Sequence, residues 1–151
     1  MMYYTHLAFG FLASLIALNF INIENMILFI LVTIFFSIFP DIDETRSKIG
    51  RKYNLISKII NFFFGHRGFF HTIYIPLILF FILSFINNDV SIAILAGYFS
   101  HLFLDAITKA GIRPLYPIYN KRINGPFKTN SFTEKIIFVF IVLSSLYLVL
   151  G

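Results

Sequence analysis

Five long apolar segments, separated by polar ones, make up most of this chain. None of them contains Lys, Arg or Glu, and their one Asp, Asp105, lies close to a segment end. Apolar runs of this kind are typical of helices that cross a lipid bilayer. The segments are Leu7 to Ile21, Met26 to Phe39, Phe69 to Ile86, Val90 to Ile107 and Ile136 to Leu150.

Several segments are shorter than the roughly 20 residues that a helix needs to cross a bilayer core. Five of them in 151 residues nevertheless exceed what a soluble core can bury, because too little polar surface would remain to cover them. The chain is 58% hydrophobic and 13% charged, against about 25% charged in globular proteins. We therefore expect one all-α integral membrane domain, residues 1–151, with about five transmembrane helices, the first retained as a span rather than cleaved.

Positive charges are confined to two stretches of the chain. Six Lys and Arg residues lie between the second and third segments, and the other six lie between the fourth and fifth. By the positive-inside rule both stretches are cytoplasmic, which places the N-terminus inside and the C-terminus outside. This topology explains the net charge of +5, so we expect no nucleic-acid partner.

The short connections Asn22 to Asn25 and Asn87 to Asp89 predict two antiparallel helical hairpins. Packed together, the hairpins form a four-helix core. The fifth span is expected to be peripheral, because it contains no His or Asp that could join those near the ends of the other four. Removal of this span should therefore harm stability more than chemistry. The stretch Ile49 to Phe64 has the pattern of an amphipathic interfacial helix, and Arg113 to Phe127 is rich in Pro and Gly and predicts irregular structure.

All four histidines and three aspartates lie near the cytoplasmic ends of these spans in the predicted topology. Imidazole and carboxylate are ligands of zinc, manganese and iron, and the absence of Cys excludes thiolate ligands and disulfides. The predicted bundle brings the seven side chains to one depth as a metal site. They are His6, Asp41, Asp43, His66, His71, His101 and Asp105.

Two of these motifs have spacings that suit metal binding. His101 and Asp105 are four residues apart in a helix and therefore share one face. Pro40 ends the preceding span, so Asp41 and Asp43 are expected in extended backbone, pointing to opposite sides. One of them then binds metal while the other holds a histidine, or each binds a separate ion. Taken singly, each motif is also typical of a solvated or hydrogen-bonded helix end.

The third motif contains His66, Arg67 and His71. A spacing of five does not suit one helical face, so His66 is expected in the loop and His71 inside the helix. The planar guanidinium of Arg67 suits a phosphate or carboxylate, and its alternative role is to anchor anionic lipid headgroups.

Seven candidate ligands exceed the three of a single catalytic zinc. The number fits two ions, or one ion with a general base and an orienting carboxylate; the sequence leaves this open, as it does which of His6, Asp41 and Asp43 bind metal directly. Such a site would lower the pKa of bound water toward ~7 for attack on an ester or phosphoester. Asp43 or Asp41 would act as general base, and Arg67 would neutralise phosphoryl charge.

The ordered motifs resemble the LexA-regulated, membrane-bound metal-dependent hydrolase family, also called YdjM-like. The resemblance runs over most of the chain, although Phe69-Phe70 replaces a stretch that often holds Thr or Ser in the family. Its residues are His6 with Gly10, Pro40-Asp41-Ile42-Asp43, His66-Arg67-Gly68, His71-Thr72, His101, Asp105, Thr108, Gly111, Leu115 and Pro117. The resemblance implies an inner-membrane protein, similar to zinc-dependent phospholipase C-like enzymes, whose matching His and Asp residues bind metal.

We therefore expect a metal-dependent hydrolase of the cytoplasmic membrane, with zinc, manganese or iron as cofactor. Its substrate would be a phospholipid or another membrane-associated phosphoester, because a site at headgroup depth meets lipid first. One alternative is a divalent-metal or proton transporter, since intramembrane His and Asp also build ion pathways. Another is a noncatalytic scaffold with a structural metal.

Overall fold

The computed structural model describes residues 1–45, 47–53, 55, 57–58 and 69–151. Its helices are α1 (Tyr3–Leu18), α2 (Met26–Phe36), α3 (Lys48–Lys52), α4 (Tyr74–Ser84), α5 (Asn88–Ala106) and α6 (Phe132–Leu150), with 3-10 turns at Phe39–Asp43 and Phe69–His71. These residues contain no β-strand, so the described fold is all-helical, as predicted.

Asparagine side chains begin the second helix of each hairpin. Asn25 accepts a hydrogen bond from the backbone N–H of Leu28, and Asn87 accepts one from Val90, each at 3.0 Å. Such caps satisfy an N–H that has no partner inside the helix. The two short connections therefore stop one helix and start the next, and this places α2 beside α1 and α5 beside α4.

Helix α5 is the centre of the bundle, because it packs against α1, α2 and α4. A Cβ at Gly97 would overlap the Thr33 carbonyl of α2, and one at Gly10 of α1 would overlap Ser37. Small residues at such contacts let helices approach closely. Helix α6 packs against α1 and leaves most of its surface exposed.

Among the residues that the structure describes, three segments are long and apolar enough to cross a membrane: Met26–Asp43, Asn88–Ala106 and Phe132–Leu150. Helices α1 and α4 are shorter, with 16 and 11 residues. At ~1.5 Å per residue, α4 spans about 16 Å, roughly half of a hydrocarbon core. Five complete spans and a cytoplasmic N-terminus therefore stay predictions.

Two local predictions were wrong. Asp41 and Asp43 lie in a 3-10 turn rather than in extended backbone, since Pro40 is compatible with the first turn of a helix. His71 lies in a 3-10 turn ahead of α4 rather than within it. The N–H of Ile73 donates to the Pro114 carbonyl at 3.0 Å, which diverts the chain before the helix begins.

Most of the predicted amphipathic helix, Ile49 to Phe64, lies outside the described residues. The stretch Arg113 to Phe127 is irregular, as predicted, and two isolated β-bridges hold it, Thr108 to Phe127 and Ile112 to Ile123. This stretch covers the end of the bundle at which α4 begins and α5 ends.

Candidate metal centre

The polar residues of four segments meet at one end of the bundle. They come from the first turns of α1, the 3-10 turn after α2, the 3-10 turn before α4 and the last turns of α5. The Asp41 side chain is 19% exposed, and the others are at most 1% exposed. The residues are His6, Asp41, Asp43, His71, His101 and Asp105.

A backbone carbonyl fixes the tautomer of His101. Its Nδ1 lies 2.9 Å from the carbonyl oxygen of Ser37. Since a carbonyl only accepts, Nδ1 carries the hydrogen, and Nε2 presents its lone pair to the centre. This is the arrangement in which proteins present histidine to a metal.

A carboxylate fixes His71 in the same way. Its Nδ1 lies 3.1 Å from Oδ2 of Asp43, which leaves Nε2 to face the centre. The hydroxyl of Tyr98, on α5, donates to the Phe70 carbonyl at 2.8 Å and holds this turn in place. Asp43 therefore touches the back of the ring, away from the centre.

The two Nε2 atoms that face the centre lie close together. Nε2 of His71 and Nε2 of His101 are 3.2 Å apart, and Oδ2 of Asp105 lies 3.7 Å from the first and 3.9 Å from the second. With both hydrogens on Nδ1, two lone pairs and a carboxylate oxygen face one another. Such an arrangement requires a cation, either a proton or a metal ion.

His6 and Asp41 form a second set of donors with His101. The rings of His6 and His101 stack with centroids 4.1 Å apart, and Oδ1 of Asp41 lies 3.9 Å from Nε2 of His101. Nε2 of His6 is 3.4 Å from Oδ1 of Asp105. Neither ring nitrogen of His6 makes a hydrogen bond within the described part of the chain, although the ring is buried. A buried polar atom of this kind is costly unless something binds it.

A divalent ion fits both sets. The donor atoms of each lie within 4.8 Å of one another. Two nitrogens, each about 2.05 Å from a tetrahedral zinc, are about 3.3 Å apart, close to the His71 to His101 separation. The distances to Asp105 are longer by about half an ångström, which a small carboxylate rotation closes. His101 belongs to both sets, so the residues suit one ion or two neighbouring ions.

The charges around His71 also favour a cation. Each of its ring nitrogens lies near a carboxylate: Nδ1 is 3.1 Å from Oδ2 of Asp43, and Nε2 is 3.7 Å from Oδ2 of Asp105. The amino group of Met1 donates to Oδ1 of Asp105, so Oδ2 is the oxygen of this carboxylate that faces His71 and His101.

Asp41 connects the centre to a cleft of about 580 Å³. The size lies within the range typical of small-molecule sites. Its wall combines the start of α1 with α3 and the loop before α6. The lining residues are Met1, Met2, Tyr3, Tyr4, Asp41, Glu44, Ser47, Lys48, Arg51, Thr129 and Asn130. Of the six residues of the centre, Asp41 alone lines this cleft.

Six of the seven predicted ligands thus converge within the described structure. His66 and Arg67 lie outside the described residues. Asp43 touches His71, whereas Asp41 faces His101 and the cleft. That these residues bind metal stays a prediction.

Sequence reasoning missed Glu134, at the start of α6. This buried carboxylate accepts hydrogen bonds from Met2 N, Thr5 Oγ1 and Asn130 N, and so fixes the first turn of α1 beside His6. Glu134 precedes the predicted fifth segment, Ile136 to Leu150, and therefore lay outside it. Ser131 with Glu134 matches a helix-capping pattern before an apolar run, which marks a helix start but carries no sign of burial.

Comparison with known proteins gives a family without a stated activity. A "YdjM inner membrane protein" family model matches residues 1–151. The chain is 40% identical over 114 residues to the Bacillus subtilis (strain 168) protein named "Uncharacterized protein YvsG", covering 74% of this chain and 71% of that protein. It is 39% identical over 85 residues to "Inner membrane protein YdjM" of Escherichia coli (strain K12), covering 52% of this chain and 43% of that protein. No solved structure matches the chain.

The family model, which matches the full chain, agrees with the helices of membrane-spanning length in the structure. They place this protein in the inner membrane as a multi-pass protein. The chain belongs to the YdjM inner membrane protein family.

Proposed function

We propose that this protein is a metal-dependent hydrolase that cleaves a phosphoester at the cytoplasmic surface of the membrane. The observation that carries the proposal is the 3.2 Å approach of two histidine Nε2 atoms whose Nδ1 atoms are both already hydrogen-bonded. The cytoplasmic location rests on the two basic stretches, which flank the segments that form the centre.

The reaction would use the chain's own groups in distinct roles. A divalent ion in this centre would polarise an ester oxygen and make a nearby water more acidic. Asp41, which reaches the cleft, accepts the proton of the attacking water as its oxygen bonds to phosphorus. The bond from phosphorus to the leaving oxygen breaks, and the leaving alkoxide takes a proton from water in the cleft. Asp43 and the Ser37 carbonyl keep His71 and His101 oriented throughout.

The distribution of polar groups favours a local centre over a transport pathway. At the far end of the bundle, Glu24 N donates to Oδ2 of Asp89 at 2.9 Å. Between the two ends, Thr33 donates its hydroxyl to the Phe29 carbonyl of its own helix. An ion pathway needs polar steps across the whole bilayer.

The test is hydrolysis by detergent-purified protein loaded with zinc or manganese. The substrates are a chromogenic phosphodiester and a phospholipid, and the variants are His101→Ala and Asp41→Asn. Asp89→Asn, at the opposite end of α5 from Asp105, is the matched control. We expect metal-dependent turnover that falls at least about 100-fold in Asp41→Asn and His101→Ala and persists in the control. Folded protein that binds metal and cleaves no ester would refute the hydrolase proposal.

A further inference from the structure

Two cations in the cleft wall have no carboxylate partner among the described residues. Lys48 and Arg51 both line the cleft, and neither forms an ion pair within the part of the chain that the structure describes. Nζ of Lys48 lies 3.8 Å from the ring centroid of Tyr4 and 5.1 Å from that of Tyr3. Aromatic faces stabilise an ammonium group without neutralising it, so the charge stays available to a ligand.

The cleft also contains acidic groups. Asp41 faces the candidate metal centre, and Glu44 lines the wall near α3 and already has other interactions. An anion in this cleft would therefore be recognised on the side of Lys48 and Arg51, with its reacting bond toward Asp41. With cations on one side of the cleft and a carboxylate on the other, a bound phosphate is oriented as well as attracted.

A second, apolar cavity begins at Tyr3. This groove of about 350 Å³ lies between the end of α2 and the end of α3. Its wall is almost wholly apolar, with Lys52 as its one charged residue. The lining residues are Tyr3, Phe35, Ile38, Phe39, Ile42, Lys52 and Tyr53. Tyr3 lines both cavities, and Asp41 and Ile42 are consecutive, so the groove lies next to the cleft.

We propose that the cleft and the groove together bind one anionic lipid, with its phosphate beside Lys48 and Arg51 and one acyl chain in the groove. Positive charge in the cleft and an apolar wall in the groove match the two halves of such a molecule, and the shared residue Tyr3 places the two cavities side by side. The groove lies at the end of an apolar span, where headgroup and acyl chain meet. The inference rests on the proposed function, since the bound lipid is the substrate presented to Asp41.

The test measures binding without turnover, in metal-free, detergent-purified protein with a chelator present. The probe is monomeric dihexanoyl phosphatidic acid, compared with glycerol 3-phosphate, which has no acyl chain, and with dihexanoylglycerol, which has no phosphate. We expect the phosphatidic acid to bind at least 10-fold more tightly than either, with affinity rising up to about fourfold for each further methylene that the groove buries.

The variants separate the two halves of the site. Lys48→Gln with Arg51→Gln should weaken phosphatidic acid binding at least 10-fold, and Tyr53→Asp, which puts a charge in the groove wall at a half-exposed position, should remove the dependence on chain length. Lys121→Gln, an exposed lysine outside both cavities, is the control and should bind normally.

Four results would overturn the inference. Equal affinity for glycerol 3-phosphate would show that the cleft binds soluble anions. Unchanged binding in the Lys48 and Arg51 variant would show that the phosphate does not bind beside these residues. Dimerisation of the wild type that Tyr53→Asp abolishes would assign the groove to a second copy. Lipid binding without hydrolysis after metal loading would refute the hydrolase alone, whereas hydrolysis of soluble phosphodiesters without lipid binding would refute the lipid site alone.

Discussion

Replacement of Asp43 tests how the centre presents its histidines. The carboxylate is buried and lies 3.1 Å from Nδ1 of His71, on the side of the ring opposite the candidate ligand atom. In Asp43→Asn the amide oxygen still accepts the hydrogen bond, but its charge is lost. A hydrogen bond to a charged group contributes about 1.5–3 kcal/mol and a neutral one about 0.5–1.5 kcal/mol.

The hydrogen bond exists with and without metal, so at most the whole difference of about 1–1.5 kcal/mol affects the metal affinity, which gives up to about 5- to 13-fold weaker binding. Asp43→Ala leaves Nδ1 of His71 without this acceptor, so we expect a loss of about 10- to 100-fold, as for other residues that orient metal-bound histidines. Competition with a chromophoric zinc chelator measures both affinities in detergent. Asp89→Asn is the control, because it removes the same charge at the far end of α5.

The order of the variants is the informative result. Wild type should bind most tightly, followed by Asp43→Asn and then Asp43→Ala, with Asp89→Asn equal to wild type within about twofold. Equal affinity in all four proteins would refute the idea that Asp43 orients a metal-binding His71. A loss of far more than about 100-fold in both variants would point to direct binding of metal by the carboxylate.

Three further predictions follow from named contacts. Glu134→Ala removes the acceptor of three hydrogen bonds, so the Tm in detergent should fall by roughly 6–12 °C. The control Glu24→Ala, at the far end, should change the Tm by less than about 2 °C. Equal Tm values in the two variants would contradict the role of Glu134 in fixing the first turn of α1. Tyr98→Phe removes the hydrogen bond to the Phe70 carbonyl. Chemical denaturation should then show about 1–2 kcal/mol lower free energy of unfolding, and chelator competition should show weaker zinc binding. Unchanged values of both would refute the role of Tyr98 in holding the 3-10 turn that contains His71. Removal of metal should lower the wild-type Tm by roughly 5–10 °C if the ion was present at about 100 times its Kd, but should leave the Tm of His71→Ala unchanged.

The arrangement of the helices was readable from the sequence because two independent signals agreed. Apolar segments located the helices, and the short connections at Asn25 and Asn87 paired them. Both signals are local. In the structure, Asn25 and Asn87 cap the starts of α2 and α5, as the short connections require. The convergence of six predicted residues at one end of the bundle then follows from hairpin geometry.

The details of the centre needed long-range contacts that spacing does not encode. The Ser37 carbonyl reaches His101 across 64 positions of chain, and Glu134 reaches Thr5 across 129. A carbonyl oxygen has no side-chain signature, and a carboxylate at a helix start is usually a solvated cap. The extended backbone predicted for Asp41 and Asp43 failed because Pro40 is compatible with a 3-10 turn as well as with an ended helix.

The most direct test of the central claim is the metal content of purified protein, measured by mass spectrometry with Asp105→Asn and Asp89→Asn in parallel. The two variants remove equal charge from opposite ends of α5, so they differ in the candidate centre alone. We predict at least one divalent ion per chain in wild type and in Asp89→Asn, and a clear loss in folded Asp105→Asn. Wild-type protein that binds no divalent ion, or equal metal content in all three proteins, would contradict the account.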